Sequence, residues 1–434
     1  MESIWSATAE LPHFPTLEEE IHTDVLVIGG GMAGLLCALK LQRAGVDCVV
    51  AEARTIAGGI TKNTTAKITA QHGLIYQKLL SRFGTERTAL YWQANQDALE
   101  AFRSLCAGLD SDFLEQDHFV YARDDLQALE KECAALEAIG HPAPLVQQLP
   151  LPFPTAGAVK FPHQAQFHPL KFLASIAQGL TIYENTPVQE IENGFAATPK
   201  ARIHSDSIIV ATHFPFLNKH GSYFLKLYQQ RSYALFLENV PPLEGMYLDA
   251  QENGLSFRGF REGLILGGGG HRTGKAGGGW QALEQFTNSH YPQARITHRW
   301  ATQDCMSLDG VPYIGQYSAK TPNLYVATAF NKWGMTSSMV AAQVLTDLIT
   351  GKDNPYASLF SPSRSILRPQ LGSNAWEAAK NLLTPAPKRC PHMGCALKWN
   401  PQERTWDCPC HGSRFTENGK LIGNPATEDL NQPK

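Results

Sequence analysis

The sequence predicts a mixed α/β fold that ends in a small all-β module, and three observations carry that expectation. An apolar run at 24–28 meets a glycine cluster and then a helix-forming stretch. The middle of the chain alternates amphipathic helical patterns with β-rich runs, and the end holds two short cysteine and histidine pairs around a strand, turn, strand pattern. At 434 residues the chain exceeds what one core usually fills, so two or more folding units are expected.

Asp24-Val25-Leu26-Val27-Ile28 reads as a buried strand, Gly29-Gly30-Gly31-Met32-Ala33-Gly34 as a glycine turn, and Leu35 to Ala44 as the helix that follows. Gly29 permits the tight turn, Gly31 lets a pyrophosphate approach the backbone, and Gly34 lets the helix pack on the strand, with phosphate charge at the helix N-terminus. A second strand, Asp47 to Ala51, ends at Glu52, placed where a carboxylate can bind the ribose hydroxyls of an adenosine moiety. The pattern therefore indicates a dinucleotide, FAD or NAD. Gly58 to Thr69 is polar and glycine-rich directly after the second strand, where a nicotinamide domain would continue into further βα units. It suits a loop along a flavin, and FAD is the cofactor expected.

Arg87 to Leu105 and Asp124 to Ala138 carry apolar residues at helical spacing. Ser207 to Thr212 and Tyr325 to Thr328 read as buried strands ending in a small polar residue. Phe236 to Leu266 is rich in β-branched and aromatic residues and suits an antiparallel sheet, and Gly267 to Lys275 reads as a glycine loop holding His271 and Arg272. Met335 to Ile349 is periodic enough for a helix. Its unpaired N–H groups at Gly334 could face the flavin pyrimidine carbonyl, although a plain core helix started by glycine gives the same pattern.

A helix over Asn374 to Leu383, with Glu377 completing a capping box, leads into Thr384-Pro385-Ala386-Pro387. Then come Cys390-Pro391-His392-Met393-Gly394-Cys395 and Cys408-Pro409-Cys410-His411-Gly412-Ser413. Cys390 and Cys408 can hold one iron while His392 and His411 hold the other, the ligand set of a Rieske [2Fe–2S] cluster. Zinc also takes closely spaced Cys and His, but a Cys-x-His half followed by Cys-Pro-Cys-His-Gly-Ser is nearer the Rieske pattern than a zinc finger. Lys398 to Pro401 and Arg404 to Trp406 read as strand, turn, strand, and Asn418-Gly419 as a hairpin turn, while Gly423 to Ala426 resembles the proline loop that shields the cluster in Rieske proteins. Residues 389–434 are too few for much core of their own, so the module should lean on its cluster and on the rest of the chain, fixed rather than swinging.

Residues 24–73, through Thr65-Ala66-Lys67-Ile68-Thr69-Ala70-Gln71-His72-Gly73, resemble the FAD-dependent oxidoreductases of the D-amino-acid oxidase superfamily, and more closely its bacterial subgroup with a C-terminal Rieske domain. So do Gln166 to Pro169, Gln303 to Gly315, and Phe330 to Met335. The resemblance implies an FAD-binding Rossmann-like domain (about 20–80, 183–212 and 320–350) interleaved with an antiparallel-sheet substrate domain (about 81–182 and 213–319). After these come a helix and linker at 369–388 and a truncated Rieske module at 389–434. FAD would then rest on Gly29, Gly31, Met32, Ala33 and Gly34, on Glu52, Ala53 and Arg54, and on Thr61, Thr64, Thr65 and Ala66. Val188, Ala211, Thr212, Gly334, Met335 and Thr336 would complete its site. Cys395 and Cys410 match the positions of a disulfide that links the cluster loops in respiratory Rieske proteins. Ser413 can donate to a cluster sulfide, but Phe415 stands where high-potential relatives have a tyrosine donor, which implies a lower potential.

The resemblance further implies oxidation of an amine or amino-acid-like small molecule, with electrons passing from flavin to cluster to an unknown acceptor. Arg258, His271, Arg272, Lys67 and Lys332 are the polar groups expected in the substrate cavity, Arg258 to grip a carboxylate. Some relatives attach FAD through a cysteine, but the matching position here is Thr302 rather than Cys305, so the FAD should be non-covalent. Two other readings stay open: an oxidase using O₂ directly with the cluster as a staple, and a redox sensor or electron-transfer protein without turnover.

Composition narrows the partners. A formal charge of −3 gives no electrostatic case for nucleic acid or an acidic membrane surface. No run of apolar residues suffices to span a bilayer and the N-terminus has no signal pattern, so a cytoplasmic protein without stable membrane insertion is expected. Of nine cysteines, Cys37, Cys48, Cys106, Cys133 and Cys305 are scattered without metal spacing and suit small buried thiols.

Overall fold

The first apolar run becomes the strand Ile21–Ile28, whose second half is wholly buried, and the glycine turn delivers the chain into the helix Met32–Arg43. Leu35, Leu36, Cys37 and Leu41 on that helix are fully buried, each aliphatic side chain contributing about 1.5–3 kcal/mol on burial. The computed structural model describes residues 2–192, 194–218 and 220–430.

Ile21–Ile28 lies at the centre of an eight-stranded sheet. It pairs in parallel with Cys48–Ala51 on one side and with Arg202–Val210 on the other, and Arg202–Val210 pairs in parallel with Leu324–Thr328. Strands far apart in sequence therefore end side by side. The helix Gly334–Ile349 returns from Leu324–Thr328 to pack on Met32–Arg43, and both contribute to the largest core cluster.

A second, nine-stranded sheet is built mainly from Tyr228–Glu238, Gly263–Arg272, Ser256–Phe260, Met246–Asp249, Leu114–Ala122 and Gly157–Gln166, with Arg295–Met306 at one end and Lys67–Ile68 at the other. Its pairs are antiparallel except Met246–Asp249 with Leu114–Ala122. Two helices expected here are present. Tyr76–Cys106 is kinked at Gly84, whose φ of 77° breaks the helical path, and Leu126–Ala138 is capped by the Asp125 side chain accepting from the Ala128 N–H.

The glycine-rich run at 267–272 is strand and not the loop expected from its composition. It pairs with Tyr228–Glu238 across a bulge between Arg231 and Tyr233. A Cβ at Gly269 would sit 2.4 Å from the Gly279 carbonyl, so glycine there lets the helix Gly279–His290 rest against the strand.

The C-terminal helix is Pro369–Leu383, starting five residues before the position read from sequence. Pro369 at its first position, with φ already helical, marks the start. Glu377 makes no capping box: its carboxylate bonds Lys275 and the Asn381 amide. Beyond it, Lys398–Asn400, Thr405–Asp407, Arg414–Thr416 and Leu421–Gly423 form a four-stranded antiparallel meander. Its core is Cys390, Cys395, Leu397, Cys408, Cys410, Phe415 and Ala426. That core is small for an independent fold. Among the described residues no helix is long and apolar enough to cross a membrane.

Candidate functional site

The glycine turn has the form a dinucleotide pyrophosphate requires. Gly29 has φ 111°, and a Cβ at Gly34 would lie 1.8 Å from the Gly29 carbonyl oxygen, so neither position tolerates a side chain. A Cβ at Gly31 would meet only the Thr61 hydroxyl, leaving the turn open toward a ligand. Met32 N–H donates to Thr61 Oγ1 over 3.1 Å. The Glu52 carboxylate accepts from Gly30 N–H at 2.7 Å and Arg54 N–H at 2.9 Å, which fixes it at the end of its strand with lone pairs left for ribose hydroxyls. Thr186 N–H donates to Glu52 O and brings the segment holding Val188 alongside Ala53. On the other flank Ala211 N–H donates to Ile28 O, which sets Ala211 and Thr212 beside the turn. These residues fit an FAD.

Farther along, Thr64, Thr65 and Ala66 are held from behind. Trp5 Nε1 donates to Thr64 O at 2.7 Å, Ala66 has φ 55°, and Arg258 donates to the Thr65 and Ala66 carbonyls. Arg258 also reaches Gln166 Oε1 at 2.8 Å and Phe167 O at 3.0 Å, and its guanidinium lies 5.1 Å from the Trp5 ring. It is only 1% exposed. The expectation that Arg258 grips a substrate carboxylate is thereby corrected, because its N–H groups already serve protein acceptors that shape the flavin-side turn.

Lys67 is buried on the other face, with its ammonium on Tyr247 O at 3.3 Å and on the Ser256 hydroxyl. Burial and the nearby Arg258 charge push it down to about 7. His118, also fully buried, receives or gives a bond at Thr69 Oγ1 and leaves Nε2 without a partner. His72 bonds the Tyr91 hydroxyl at 2.6 Å and stacks on Trp333 with ring centroids 4.7 Å apart. Its Nε2 meets Thr336 Oγ1 at 3.0 Å, so the start of the helix Gly334–Ile349, with Met335, closes over the same polar cluster. Lys332 lies nearby in a left-handed backbone conformation, and its ammonium reaches outward to Glu252 O. Sequence reasoning missed His118, which belongs to no motif, and gave no role to Trp333, although it lies within the Phe330 to Met335 segment.

Two expected cavity residues are elsewhere. Arg272 donates to Pro409 O at 3.2 Å, to Cys410 O at 3.4 Å and to Asn374 Oδ1 at 3.1 Å. His271 bonds the Tyr233 hydroxyl at 3.0 Å, and that hydroxyl also donates to Glu403. Both face the C-terminal module, so their placement in a substrate cavity is corrected: strand pairing carries residues 271–272 to the end of the sheet that the module covers.

The two cysteine loops of the module repeat one conformation. Gly394 N–H donates to Cys390 O and Gly412 N–H to Cys408 O, at 2.8 and 2.9 Å, and both glycines have positive φ. The Cys390 thiol is pushed up from its ordinary value, first by the Cys408 thiol of the other loop and then by burial. The His392 and His411 rings face one another with centroids 4.9 Å apart, and in each Nδ1 is buried without a partner. Burial pushes both imidazoles down to about 4, so they are neutral, as metal ligands must be. Paired loops that each carry a cysteine and a histidine with an orphaned buried ring nitrogen fit the cluster ligand set. The disulfide expected between Cys395 and Cys410 is not formed here, where all nine cysteines are free. Their Sγ atoms lie, with that of Cys408, within 4.8 Å of one another.

The module is seated by buried polar groups. Gln229 Nε2 donates to His411 O at 2.7 Å, Gln303 Nε2 donates to Gly412 O at 2.8 Å, and the two glutamines bond each other. A Cβ at Gly412 would fall 2.7 Å from the Gln229 Cβ, so only glycine allows this approach. Arg231 pairs with Glu403, which Arg414 also holds. Asn424 donates to Phe214 O at 2.7 Å and to Thr212 O, while Arg54 donates to Ile422 O at 2.8 Å. The module thus touches both large sheets, and its proline loop rests on Thr212 at the dinucleotide side. Cys305 is buried behind Thr328, its thiol pushed up to about 12 by burial.

Comparison with known proteins matches the two parts of the chain to two family models. The family model described as FAD dependent oxidoreductase matches residues 24–348, and that of the Rieske [2Fe-2S] domain matches residues 376–434. The Rieske 2Fe-2S iron-sulfur protein YhfW of Bacillus subtilis strain 168 is 34% identical over 495 residues, covering 99% of this chain and 97% of that protein. A cytochrome b6-f complex iron-sulfur subunit of Synechococcus is 49% identical over 41 residues, which is 9% of this chain and 24% of the subunit. Glycine oxidase from Geobacillus kaustophilus superposes with a TM-score of 0.67 at 20% identity, over 79% of this chain and 99% of that one. L-Amino acid deaminase from Proteus vulgaris does so with a TM-score of 0.64 at 17% identity, over 82% and 97%. At that level of identity the likeness is one of fold.

Proposed function

Because this chain belongs to the FAD-dependent oxidoreductases and ends in a Rieske [2Fe–2S] domain, we propose that it oxidises an amine or amino-acid-like small molecule and releases the electrons through its cluster. The bound flavin would supply two-electron oxidation and the cluster one-electron transfer to a separate acceptor. The observation that carries this reading is the seating of the module. The carbonyls of His411 and Gly412 are held by Gln229 and Gln303, on strands of the same sheet whose other members carry Lys67 and His118. The cluster loops face the oxidoreductase and not away from it.

The chain's own groups divide the work. Gly29, Gly31 and Gly34 admit the pyrophosphate, Glu52 holds ribose, and Arg258 fixes the turn at Thr65 and Ala66. Lys67, with its ammonium close to neutral pH and no carboxylate beside it, can meet an anionic or amine group of the substrate. Trp333 stacks on His72 and would wall the substrate side of this cluster. Cys390, His392, Cys408 and His411 hold the iron. The solved relatives named for glycine and L-amino acid chemistry support the substrate class.

A second reading has its own observation. The buried Arg231–Glu403 pair would staple the module in place even if the cluster carried no electrons to an acceptor, leaving O₂ to reoxidise the flavin. An anaerobic titration with amines and amino acids, followed by absorbance and EPR together, tests the proposal. Bleaching of the flavin with reduction of the cluster supports it. Bleaching with an oxidised cluster favours the oxidase, and no bleaching by any compound overturns the enzymatic reading.

A further inference from the structure

The two histidines of the cluster loops differ in their surroundings. His411 is 5% exposed. Its ring faces Phe214 and Phe224 edge-on, each with centroids 6.4 Å away. His392 is half-buried at the rim, where its Nε2 reaches Asn218 Oδ1 at 2.9 Å. The next residue, Met393, is 40% exposed.

Arg389 ties this rim to the end of the helix Pro369–Leu383. One guanidinium nitrogen donates both to Leu382 O at 3.2 Å and to Gly394 O at 2.8 Å, and the other donates to Thr384 O. The helix end carries Leu382 at 44% and Leu383 at 83% exposure, values far above those of core leucines. Trp376, Lys380 and Leu383 share the outer helical stripe by their spacing, while Asn374, Glu377 and Asn381 are buried on the inner one.

Charge along this segment is mostly of one sign. Residues 369–398 hold four basic side chains (Lys380, Lys388, Arg389 and Lys398) and one acidic one, Glu377, in a chain whose formal charge is −3. Glu377 is buried and paired with Lys275. The rim around His392 is therefore apolar at its centre and cationic at its edge, without an exposed carboxylate from this segment. That is the anatomy of a transient protein interface whose partner carries the opposite charge.

We propose that the surface formed by Met393, Leu382, Leu383, Lys380 and Arg389 beside His392 docks a small acidic one-electron carrier protein. This rests on the reading of the cluster as an electron outlet and names the class of acceptor that would use it. The apolar centre brings the carrier's redox group against the His392 edge, and the cationic rim steers and orients it. A hydrophobic or uncharged carrier would gain nothing from the rim, and a basic one would be repelled.

Binding alone tests the surface, so the test does not depend on turnover. The full-length holoprotein is titrated with cadmium-substituted plastocyanin, an acidic and redox-inert probe, and with a basic c-type cytochrome. The wild type is expected to bind the acidic probe with an affinity that falls steeply with salt. Lys380→Glu combined with Leu383→Ser should weaken that binding about tenfold and flatten the salt dependence, with an unchanged cluster EPR spectrum as proof of folding. Equal binding by wild type and variant overturns the proposal, as does tighter binding of the basic cytochrome or self-association through this face. If binding behaves as expected while substrate never reduces the cluster, the docking surface stands and the proposed electron outlet from flavin falls.

Discussion

Arg231 Nε donates to Glu403 Oε1 over 3.0 Å, joining a strand of the oxidoreductase sheet to the hairpin of the cluster module, and both side chains are buried. Burial alone would raise the Glu403 carboxyl, but the charges of Arg231 and Arg414 outweigh it and hold the carboxyl below its ordinary value. The pair links residues 172 positions apart.

Arg231→Ala leaves the module short of one of its charged anchors. Truncating one partner of a buried, hydrogen-bonded pair costs about 2–5 kcal/mol, so the variant should melt lower and lose cluster on gel filtration while retaining FAD. Because the folded-state value of Glu403 is depressed, its contribution is present above the ordinary carboxylate range and is lost as pH falls through the lowered value. Cluster retention in the wild type should accordingly collapse in acid. In the Glu403→Gln protein that acid transition should be weaker.

Arg258→Lys tests the corrected role of that residue. A lysine cannot serve the Thr65, Ala66, Gln166 and Phe167 acceptors together. Flavin content and melting temperature should drop, with a cost of about 3–5 kcal/mol for a broken buried network. The KM of the remaining holoenzyme should hardly change. A large rise in KM with full flavin content would restore the carboxylate-gripping role.

Lys67 titrates near 7 in the folded chain and at its ordinary, higher value once unfolded. Between these values the unfolded state binds more protons, so this group makes stability rise with pH from about 7 upward. Melting temperatures of Lys67→Met and wild type, measured in the flavin-free protein from pH 6 to 10, should differ most in favour of the variant at the acidic end. The difference should shrink toward pH 10. A constant difference would mean that Lys67 keeps an ordinary ammonium.

Phe415 is fully buried in the module core, and Ser413 Oγ accepts from Ala426 N–H, leaving its own proton for a sulfur. Phe415→Tyr should raise the cluster potential if its hydroxyl reaches the cluster. One hydrogen bond of about 0.5–1.5 kcal/mol corresponds to roughly 20–60 mV for a one-electron couple. Ser413→Ala should lower it. Voltammetry of both variants checks the signs.

The parts of this protein that depend on short stretches of chain were legible in its sequence. The glycine turn at 29–34 and the cysteine loops each state their geometry within a dozen residues, because backbone approach demands glycine and an iron–sulfur ligand set demands that spacing. Docking was not legible. Gln229 and Arg231 sit on one strand, and Gln303 on its neighbour, where a polar residue ordinarily faces water. They are buried because a module that begins at residue 389, 160 positions after Gln229 and 86 after Gln303, covers them. Arg258 misled for the same reason: its acceptors are carbonyls from segments more than 90 positions away. The start of the helix at Pro369 was visible in the proline itself, but the Asn374 and Glu377 pattern competed with it.

The central claim is that flavin and cluster form one electron path within a single chain. Rapid-freeze EPR of the anaerobic holoenzyme after mixing with a flavin-bleaching substrate tests it, at two protein concentrations tenfold apart. The account predicts that cluster reduction follows flavin reduction with a rate independent of protein concentration, and that Arg231→Ala slows it. Flavin reduction with an unchanged cluster, or a cluster rate that scales with concentration, would contradict it.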